Sequence, residues 1–364
     1  MADRIRVGVL GCGLIAQVMH LNYLNELDDE FELAAVCDLS EEVASACAAR
    51  FGASTVHTRW EELLEQPVDA ILVLTSGDHA SEAIAAAQAG KHVFVEKPMA
   101  LCSEHGAQMV DAARSADVRL MVGTMKRYDP AYERLVALLP EWRSRIRLVQ
   151  VTTLESPLDP YVSHYPLVAS TDVDAALLDE LRRSDEQAVE LALGDVDEET
   201  RFCYRWILLD CLVHELNTLR GALGEPTEVV SADLSRTRVG INLRFGDTDC
   251  HLSWVDLPGI ARYKQEFAFY APEQRLRLEL PSPFLRSAPS RLYVEGGELG
   301  TAHSWEREEV VSYDEAFKRE LREFAECVRT GREPRTSGAD GLADVTLCEA
   351  VARVAAGAGM AAAS

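Results

Sequence analysis

The fold of this chain is decided by the stretch GVLGCGLIA at Gly8–Ala16. It continues an apolar run, Ile5–Leu10, and precedes a helix-like pattern, so it predicts a tight turn from a strand into a helix. Gly11 allows the turn, Gly13 leaves the backbone open to close approach by a phosphate, and Ala16 lets the helix pack on the strand. The free N–H groups and positive dipole end of that helix then face the phosphates.

Strand-like and helix-like segments alternate around this turn up to residue 124. Buried apolar strands that alternate with helices indicate βαβ units and a parallel sheet, so we expect an α/β Rossmann domain over residues 1–124. The strands are predicted at Ile5–Leu10, Phe31–Cys37, Ala70–Leu74, His92–Val95 and Arg119–Val122, and helices at Glu41–Phe51, His79–Ala89 and Glu104–Ala116.

The pattern changes after residue 124. A polar, helix-prone stretch at 171–197 precedes an apolar helix near Phe202–Leu223, and further helices are predicted near Asp314–Thr330 and Gly338–Ala355. Between residues 228 and 311, alternating strands broken by Gly and Pro predict an antiparallel sheet. We therefore expect an α+β domain with a large, mainly antiparallel open sheet over residues 125–364.

Composition excludes several classes of function. The chain has 36 Lys and Arg against 60 Asp and Glu, a net charge of −24, which disfavours binding to nucleic acid or to a membrane surface. Its nine cysteines are single, with no C-x-x-C pair, and predict reduced thiols. Since the sequence shows no signal peptide and no membrane-length apolar run, we expect a cytoplasmic protein. No cluster of His, Cys and carboxylates has metal-ligand spacing, so no metal is predicted.

Asp38 indicates which cofactor binds at the Gly-rich turn. It ends the second predicted strand, at the spacing of the acid that hydrogen-bonds the adenosine ribose of a dinucleotide. A carboxylate there repels a 2′-phosphate, and no Arg follows in Leu39–Glu42, so NAD is expected and NADP is disfavoured. The alternative is a glycine turn in an unrelated α/β protein, for which the strand, turn, helix and acid would coincide by chance.

Three further motifs resemble the glucose–fructose oxidoreductase/inositol dehydrogenase/rhizopine-catabolism (Gfo/Idh/MocA) family. They are VDAILVLTS at Val68–Ser76 with His79 downstream, AGKHVFVEKP at Ala89–Pro98, and GTMKRYDP at Gly123–Pro130. The Glu-Lys-Pro after the fifth strand is the most specific of these signatures. The resemblance covers the first 130 residues closely and most of the remainder loosely.

The resemblance implies a Rossmann domain that binds the dinucleotide, followed by an open antiparallel sheet with helices on one face. It also implies a substrate and oligomerisation role for this second domain, so we expect a homodimer or homotetramer formed through the sheet, and a cis Lys97–Pro98 bond. The cofactor-binding residues predicted from the turn and the matched motifs are Gly11, Gly13, Leu14, Ile15, Asp38, Thr75, Ser76, His79, Glu96 and Lys97. For His79, capping of the next helix is the alternative, and His20 is predicted to be a packing residue.

Lys97 and the segment Asp210–His214 match the family's lysine and its Asp and His four residues apart. Oxidation of an alcohol by NAD requires a base for the hydroxyl proton and benefits from a cation near the oxygen. We therefore assign His214 as the general base, Lys97 as the group that polarises the oxygen, and Asp210 as the residue that orients His214. Because Asp210 interrupts an apolar run, we expect it to be buried with a partner, and a core Asp–His contact is the alternative.

The segment from about Ser156 to Asp197 is longer than a plain family member needs. It opens with three prolines that frame two tyrosines and a histidine, and flat aromatic faces with polar tips suit sugar rings. We expect it to shape the substrate pocket, with an amphipathic helix over Asp172–Leu193. A subunit-contact helix away from the cleft is the alternative. The predicted substrate-binding residues are Lys97, Arg127, Tyr161, His164, Tyr165, Asp210 and His214.

The sequence thus predicts a dehydrogenase or ketoreductase that acts on CH–OH groups of a sugar, a sugar derivative or a cyclitol. One alternative keeps the fold but makes the reaction redox-neutral, as in a sugar lyase or glycosidase that uses tightly bound NAD transiently. A second alternative is a non-catalytic dinucleotide sensor, which would not need the acid/base groups.

Overall fold

The computed structural model describes residues 4–357, which form two compact units. The first unit contains residues 4–124, 165–195 and 317–346, and the second contains residues 125–164, 196–316 and 347–357. The strands are β1 (Ile5–Leu10), β2 (Phe31–Cys37), β3 (Thr55–His57), β4 (Ala70–Val73), β5 (His92–Glu96), β6 (Leu120–Gly123), β7 (Leu148–Glu155), β8 (Glu228–Ser235), β9 (Arg238–Phe245), β10 (Thr248–Asp256), β11 (Lys264–Tyr270), β12 (Gln274–Leu280), β13 (Arg291–Gly297) and β14 (Ser304–Glu309).

The helices complete the element order. The α-helices are α1 (Leu21–Glu26), α2 (Glu41–Phe51), α3 (Trp60–Leu64), α4 (Ala80–Gln88), α5 (Ser103–Ser115), α6 (Pro130–Leu138), α7 (Asp159–Val162), α8 (Ala175–Leu193), α9 (Glu198–Phe202), α10 (Val213–Leu223), α11 (Ala316–Thr330) and α12 (Gly338–Ala355). Two π-helical segments lie at Ala16–His20 and Cys203–Leu212, and short 3-10 segments lie at Met125–Tyr128, Leu139–Glu141 and Arg143–Arg145.

The sheet of the first unit is parallel, with the strand order β3-β2-β1-β4-β5-β6. This is the order of the Rossmann fold, so the fold predicted from the Gly-rich turn is confirmed. The central strands are buried along their length because helices cover both faces, which explains their continuous apolar runs. Ser40 is the N-cap of α2, since its hydroxyl accepts a hydrogen bond from the N–H of Val43.

Two segments that follow residue 124 belong to the first unit. In α11, the ring of Phe317 contacts His20 and Tyr23, and Phe324 contacts Phe94. Thr336, just before α12, donates a hydrogen bond to the carbonyl of Val122 in β6. The segment 165–195 also packs here, so residues placed by the sequence within one second domain, 125–364, are divided between the two units.

The second unit is built on a sheet with the strand order β14-β13-β12-β11-β7-β10-β9-β8. Neighbouring strands are antiparallel except for β7 and β10, which are parallel in register from Leu148↔Asp249 to Glu155↔Asp256. The mainly antiparallel sheet predicted from the sequence is confirmed. Its parallel pair arises because β7 is followed by a long crossover of helices before the chain returns to the sheet.

Alternate residues of this sheet are buried, as in Val239, Ile241 and Leu243 of β9. The residues between them are polar or charged, which leaves one face of the sheet covered mainly by ion-pairing side chains. Among residues 4–357, no helix is both long and apolar enough to span a lipid bilayer.

Candidate active site

The Gly-rich turn lies where β1 and β4 end. Gly11 has a φ of +90°, and a Cβ on it would stand 2.6 Å from the backbone nitrogen of Thr75, so only glycine fits there. A Cβ on Gly13 would meet no described atom within 4 Å. Gly11 therefore brings the two strand ends together, and Gly13 leaves an open backbone surface before Leu14 and Ile15 lead into the helix, as a bound pyrophosphate requires.

Asp38 is fixed beside this turn. Its Oδ2 accepts a hydrogen bond of 2.8 Å from the N–H of Cys12, and its Oδ1 accepts one of 2.9 Å from the N–H of Ser40. Each carboxylate oxygen can accept a further bond, so the group retains capacity for ribose hydroxyls. The carboxylate lies between the Gly-rich turn and the start of α2, which is where the sequence argument requires it.

His79 connects the loops that follow β4 and β5. The side chain is buried, and its ring nitrogens lie 2.8 Å from the carbonyl oxygens of Thr75 and Pro98. His79 is the N-cap residue of α4, but its side chain makes no hydrogen bond to the N-terminus of this helix. Within the first unit, His79 holds the Thr75–Ser76 loop against the Lys97–Pro98 bend.

Lys97 follows β5 at the carboxyl edge of the parallel sheet. The Lys97–Pro98 peptide bond is cis, as predicted. The N–H of Lys97 donates to Oε2 of Glu96 at 3.1 Å, and Oε1 of Glu96 lies 2.6 Å from Nε2 of His20. Because β5 pairs in parallel with β4, Lys97 emerges at the same edge as the Gly-rich turn, where ligands bind in such sheets.

A buried acidic group lies below this bend. Glu320 of α11 is fully buried, and within the part of the chain that the structure describes neither of its carboxylate oxygens has a hydrogen-bond partner. Burial, with the charge of Glu96 as a smaller cause, raises the pKa of Glu320 well above its usual value. His20, which the sequence predicted only to pack, is thus one member of a buried polar group that supports the Glu-Lys-Pro segment.

In the second unit, Asp210 and His214 lie where a π-helical segment passes into α10. Asp210 is exposed, so the expectation that it is buried in an apolar run is wrong. The π-helical turn contains more residues than an α-turn, which rotates Asp210 away from the buried side chains around it. His214 is half-buried, and Asn217, one turn further along α10, is buried.

A tyrosine and carboxylate cluster, formed by Glu155, Tyr161, Glu215 and Tyr263, also belongs to the second unit. The hydroxyl of Tyr161 accepts a 2.8 Å hydrogen bond from the N–H of Tyr263. Burial and the charges of Glu215 and Glu155 raise the pKa of Tyr263, and Cys211, adjacent to Asp210, adds to this effect. Burial also raises the pKa of Glu155. Apart from Tyr161, this cluster could not be predicted from the sequence, because its members come from β7, α7, α10 and the loop before β11.

Glu215 is the anchored member of that cluster. Its Oε1 accepts a 2.6 Å hydrogen bond from the hydroxyl of Thr153 and a second from the side-chain amide of Gln265. Tyr263 and Glu155 are therefore close to a carboxylate that is held in place in a buried setting. Such a setting suits recognition of hydroxyl groups, which donate hydrogen bonds to carboxylates.

Arg127, a predicted substrate-binding residue, is buried against α10. Its Nη1 lies 3.3 Å from the carbonyl oxygen of Asn217, and a Cβ on Gly221 would stand 2.2 Å from its Nε. Gly221 thus provides the space that the guanidinium occupies. Binding of substrate by Arg127, His164 and Tyr165 stays a prediction, and along the chain the second unit's segment ends at His164 and the first unit's begins at Tyr165.

Across residues 4–357, the structure contains no group of three or more His, Cys, Asp or Glu side chains placed to hold a metal ion.

A parallel sheet with Rossmann strand order, an open Gly-rich turn and an acid at the end of β2 define a dinucleotide-binding oxidoreductase. Residues 5–124 match the model of the Gfo/Idh/MocA family, described as an oxidoreductase family with an NAD-binding Rossmann fold. The resemblance found in the sequence motifs is confirmed for this part of the chain by the match to the family model.

Known relatives extend the likeness over nearly the whole chain. Myo-inositol 2-dehydrogenase of Thermotoga maritima is 27% identical over 359 residues, covering 93% of this chain and 92% of the relative. Among solved structures, levoglucosan dehydrogenase in complex with NADH has a TM-score of 0.76 at 20% identity, covering 98% of each chain. A 3-ketoreductase from Actinomadura kijaniata in complex with NADP has a TM-score of 0.73 at 22% identity, covering 97% of this chain and 98% of the other. At such identities the two structures show a shared fold.

Proposed function

We propose that this chain is an NAD-dependent oxidoreductase that transfers a hydride between nicotinamide and a secondary alcohol or ketone of a sugar, a sugar derivative or a cyclitol. The observation that carries the proposal is the position of Lys97 at the sheet edge that also carries the Gly-rich turn. A cation at this edge stands beside the place where a dinucleotide binds. The ring-polyol substrate class is supported by relatives named for inositol and levoglucosan.

The residues present fit a dinucleotide, since Gly13 offers an open backbone surface and Asp38 a fixed acceptor for ribose hydroxyls. When bound, the nicotinamide supplies the acceptor for the hydride that leaves the carbinol carbon. His214 takes the hydroxyl proton, and Lys97 stabilises the negative charge that develops on the oxygen. Asp210 orients the His214 ring. In the reverse direction His214 returns the proton to the oxygen.

NAD is the cofactor that the surroundings of Asp38 favour. The end of β2 and the first turn of α2 carry Asp38, Glu41 and Glu42 and no basic residue, so the charged side chains that a 2′-phosphate would meet in this stretch are all negative. We further propose that the polar face of the second unit's sheet forms the subunit contact of a homodimer or homotetramer.

One observation favours a second candidate, redox-neutral chemistry with a retained NAD. The segment 166–172 is hydrogen-bonded to Gln17, next to the Gly-rich turn, and to Arg50 of α2. A segment held at both places would slow the exchange of a dinucleotide bound between them. In that case the substrate would be oxidised, would lose a C–O substituent by elimination, and would then take the hydride back.

The test is to incubate the purified protein with NAD and a panel of inositols, monosaccharides and nucleotide sugars while following NADH absorbance. The proposal expects NADH to accumulate with at least one uncharged ring polyol. Release of a leaving group without NADH would support the redox-neutral candidate instead. Binding of NAD with no reaction of any ring polyol, by oxidation or by elimination, would contradict both.

A further inference from the structure

The segment 166–172 runs along the part of the first unit that the cofactor would occupy. Val168 exchanges two hydrogen bonds of 2.9 Å with the side-chain amide of Gln17, and that amide also donates to the carbonyl oxygen of Cys12 in the Gly-rich turn. The carbonyl of Pro166 accepts a 3.0 Å bond from Nη1 of Arg50 at the end of α2. These hydrogen bonds connect the segment to the Gly-rich turn at one point and to the end of α2 at another.

The segment ends by placing Asp172 on the N-terminus of α2. Its carboxylate accepts hydrogen bonds from the hydroxyl of Ser40 and, at 3.2 Å, from the N–H of Glu42. The neighbouring Thr171 hydroxyl donates to Glu42 at 2.9 Å. Asp172 is exposed, and besides the helix N-terminus and its capping residue it contacts the hydroxyl of Ser170, which donates to Oδ1 at 3.5 Å. A carboxylate is the type of group that this helix end stabilises.

Asp172 and Asp38 accept hydrogen bonds from different atoms of the same residue, Ser40. The N–H of Ser40 donates to Asp38 at 2.9 Å, while its hydroxyl donates to Asp172. If Asp38 holds the ribose hydroxyls, a phosphate on the 2′-oxygen must project toward Ser40 and the first turn of α2, because these follow Asp38 directly. The N–H of Glu42, which could receive that phosphate, already donates to Asp172, as does the hydroxyl of Ser40.

We propose that Asp172 is a specificity-determining residue for the cofactor, which excludes NADP by occupying the anion-binding end of α2 with a carboxylate of the chain's own. The inference rests on the proposed use of a dinucleotide. Asp172 lies far from Asp38 in sequence and acts only on the group at the 2′ position of the adenosine ribose. Hydrogen bonds from Ser40 and Glu42 lower the pKa of Asp172, so its charge is present throughout the neutral range.

The test measures dissociation constants of NAD and NADP, and of 5′-ADP and 2′,5′-ADP as fragments that differ in the 2′-phosphate. It compares the unmodified protein with Asp172→Asn, which keeps an acceptor but removes the charge, and with Asp172→Ser as a second, smaller replacement. Asp195→Asn is the matched control because it removes an exposed charge at the far end of the stretch 165–195, outside the segment 166–172. Thermal unfolding verifies that each variant is folded.

Because Asp172→Asn and Asp172→Ser each remove a negative charge, we expect both to lower the dissociation constant of NADP relative to that of NAD by about tenfold or more. The dissociation constant of 2′,5′-ADP should fall relative to that of 5′-ADP in the same way. The affinity of the Asp172 variants for NAD, and the NADP-to-NAD ratio of dissociation constants in Asp195→Asn, should each change by less than about twofold. An unchanged ratio in both Asp172 variants, with NAD still bound, would overturn this inference and leave the proposed function standing. Failure of the unmodified protein to bind either dinucleotide would overturn the proposed function itself, and this inference with it.

Discussion

Replacing Asp38 with serine is expected to narrow the preference for NAD over NADP by about tenfold, because the variant loses both a ribose acceptor and a charge that repels the 2′-phosphate. The measurement is the pair of dissociation constants, with Asp29→Ser as a control that removes an exposed carboxylate from the loop before β2. Equal affinities for NAD and NADP in the unmodified protein would refute the assigned preference.

Lys97→Met and His214→Asn should each lower kcat by about a hundredfold or more while leaving NAD affinity within about twofold, since each removes a group needed in the transition state. Lys264→Met and His303→Asn make the same changes at exposed positions of the second unit and should leave kcat unaffected. Near-full turnover of either active-site variant would show that its assigned role is wrong.

The residues that could be predicted from the sequence are those within short motifs. Gly11, Asp38 and Lys97 occupy fixed positions at strand ends, so their local spacing is sufficient to find them. Asp210 shows where prediction from local pattern fails. Its apolar neighbours predicted that it is buried, but it lies on a π-helical turn and is exposed. Tyr263 could not be found, because only the folded sheet brings it to Tyr161.

At the scale of elements, α11 carries a buried carboxyl group, that of Glu320, whose ionisation can be detected by measuring stability at different pH values. Glu320 has a raised pKa in the folded chain, so the folded state keeps a proton that the unfolded state loses as the pH rises above the usual range of a Glu carboxyl. Stability contributed by the neutral group is therefore present at low pH and lost as the pH rises. Glu320→Gln should raise the free energy of unfolding by about 1–3 kcal/mol near pH 7.

The same replacement should have little effect near pH 3, where Glu is protonated in both states. Glu326→Gln, on the same helix but exposed, is the control for loss of a negative charge. Equal stabilisation of the Glu320 variant at both pH values would show that ionisation of this carboxyl is not the cause.

The loop after β4 provides a test of how α8 is attached. Gly77 has a φ of +99°, and a Cβ on it would lie 2.9 Å from the carboxylate oxygens of Asp185, which accepts a hydrogen bond from the N–H of Asp78. Gly77→Ala should therefore lower the free energy of unfolding by about 1–2 kcal/mol and reduce amide-exchange protection in α8.

Gly52→Ala is the matched control for Gly77→Ala, since Gly52 has a φ of +82° and a Cβ there would meet no described atom within 4 Å. It carries the backbone strain without the displacement of Asp185. If the two variants lose the same stability and α8 keeps its protection, then the contact between Gly77 and Asp185 does not hold the helix.

The existence of α8 could be predicted, but its environment could not. The sequence placed an amphipathic helix over Asp172–Leu193, and the helix forms at Ala175–Leu193. Only its C-terminal part is buried, at Ala188, Val189, Ala192 and Leu193, while Leu181 and Leu191 are exposed. A periodic pattern identifies a helix but not the surface against which it packs, and here that surface belongs to the first unit.

At the scale of the whole molecule, the order of elements was predictable because alternating strands and helices indicate a parallel sheet and a run of strands an antiparallel one. What could not be predicted is that the chain returns to the first unit at 165–195 and again at 317–346. Such returns depend on contacts between residues far apart in sequence, including those of Phe317 and of Asp172.

Hydride transfer between a ring carbon and nicotinamide can be followed by isotope transfer. Inositols or sugars deuterated at their ring carbons would be incubated with the protein and NAD, and the dinucleotide then analysed by mass spectrometry. We expect a single deuterium from the substrate to appear on the reduced nicotinamide, and Lys97→Met to abolish this transfer. A product formed while the bound and free dinucleotide stays free of deuterium would contradict it.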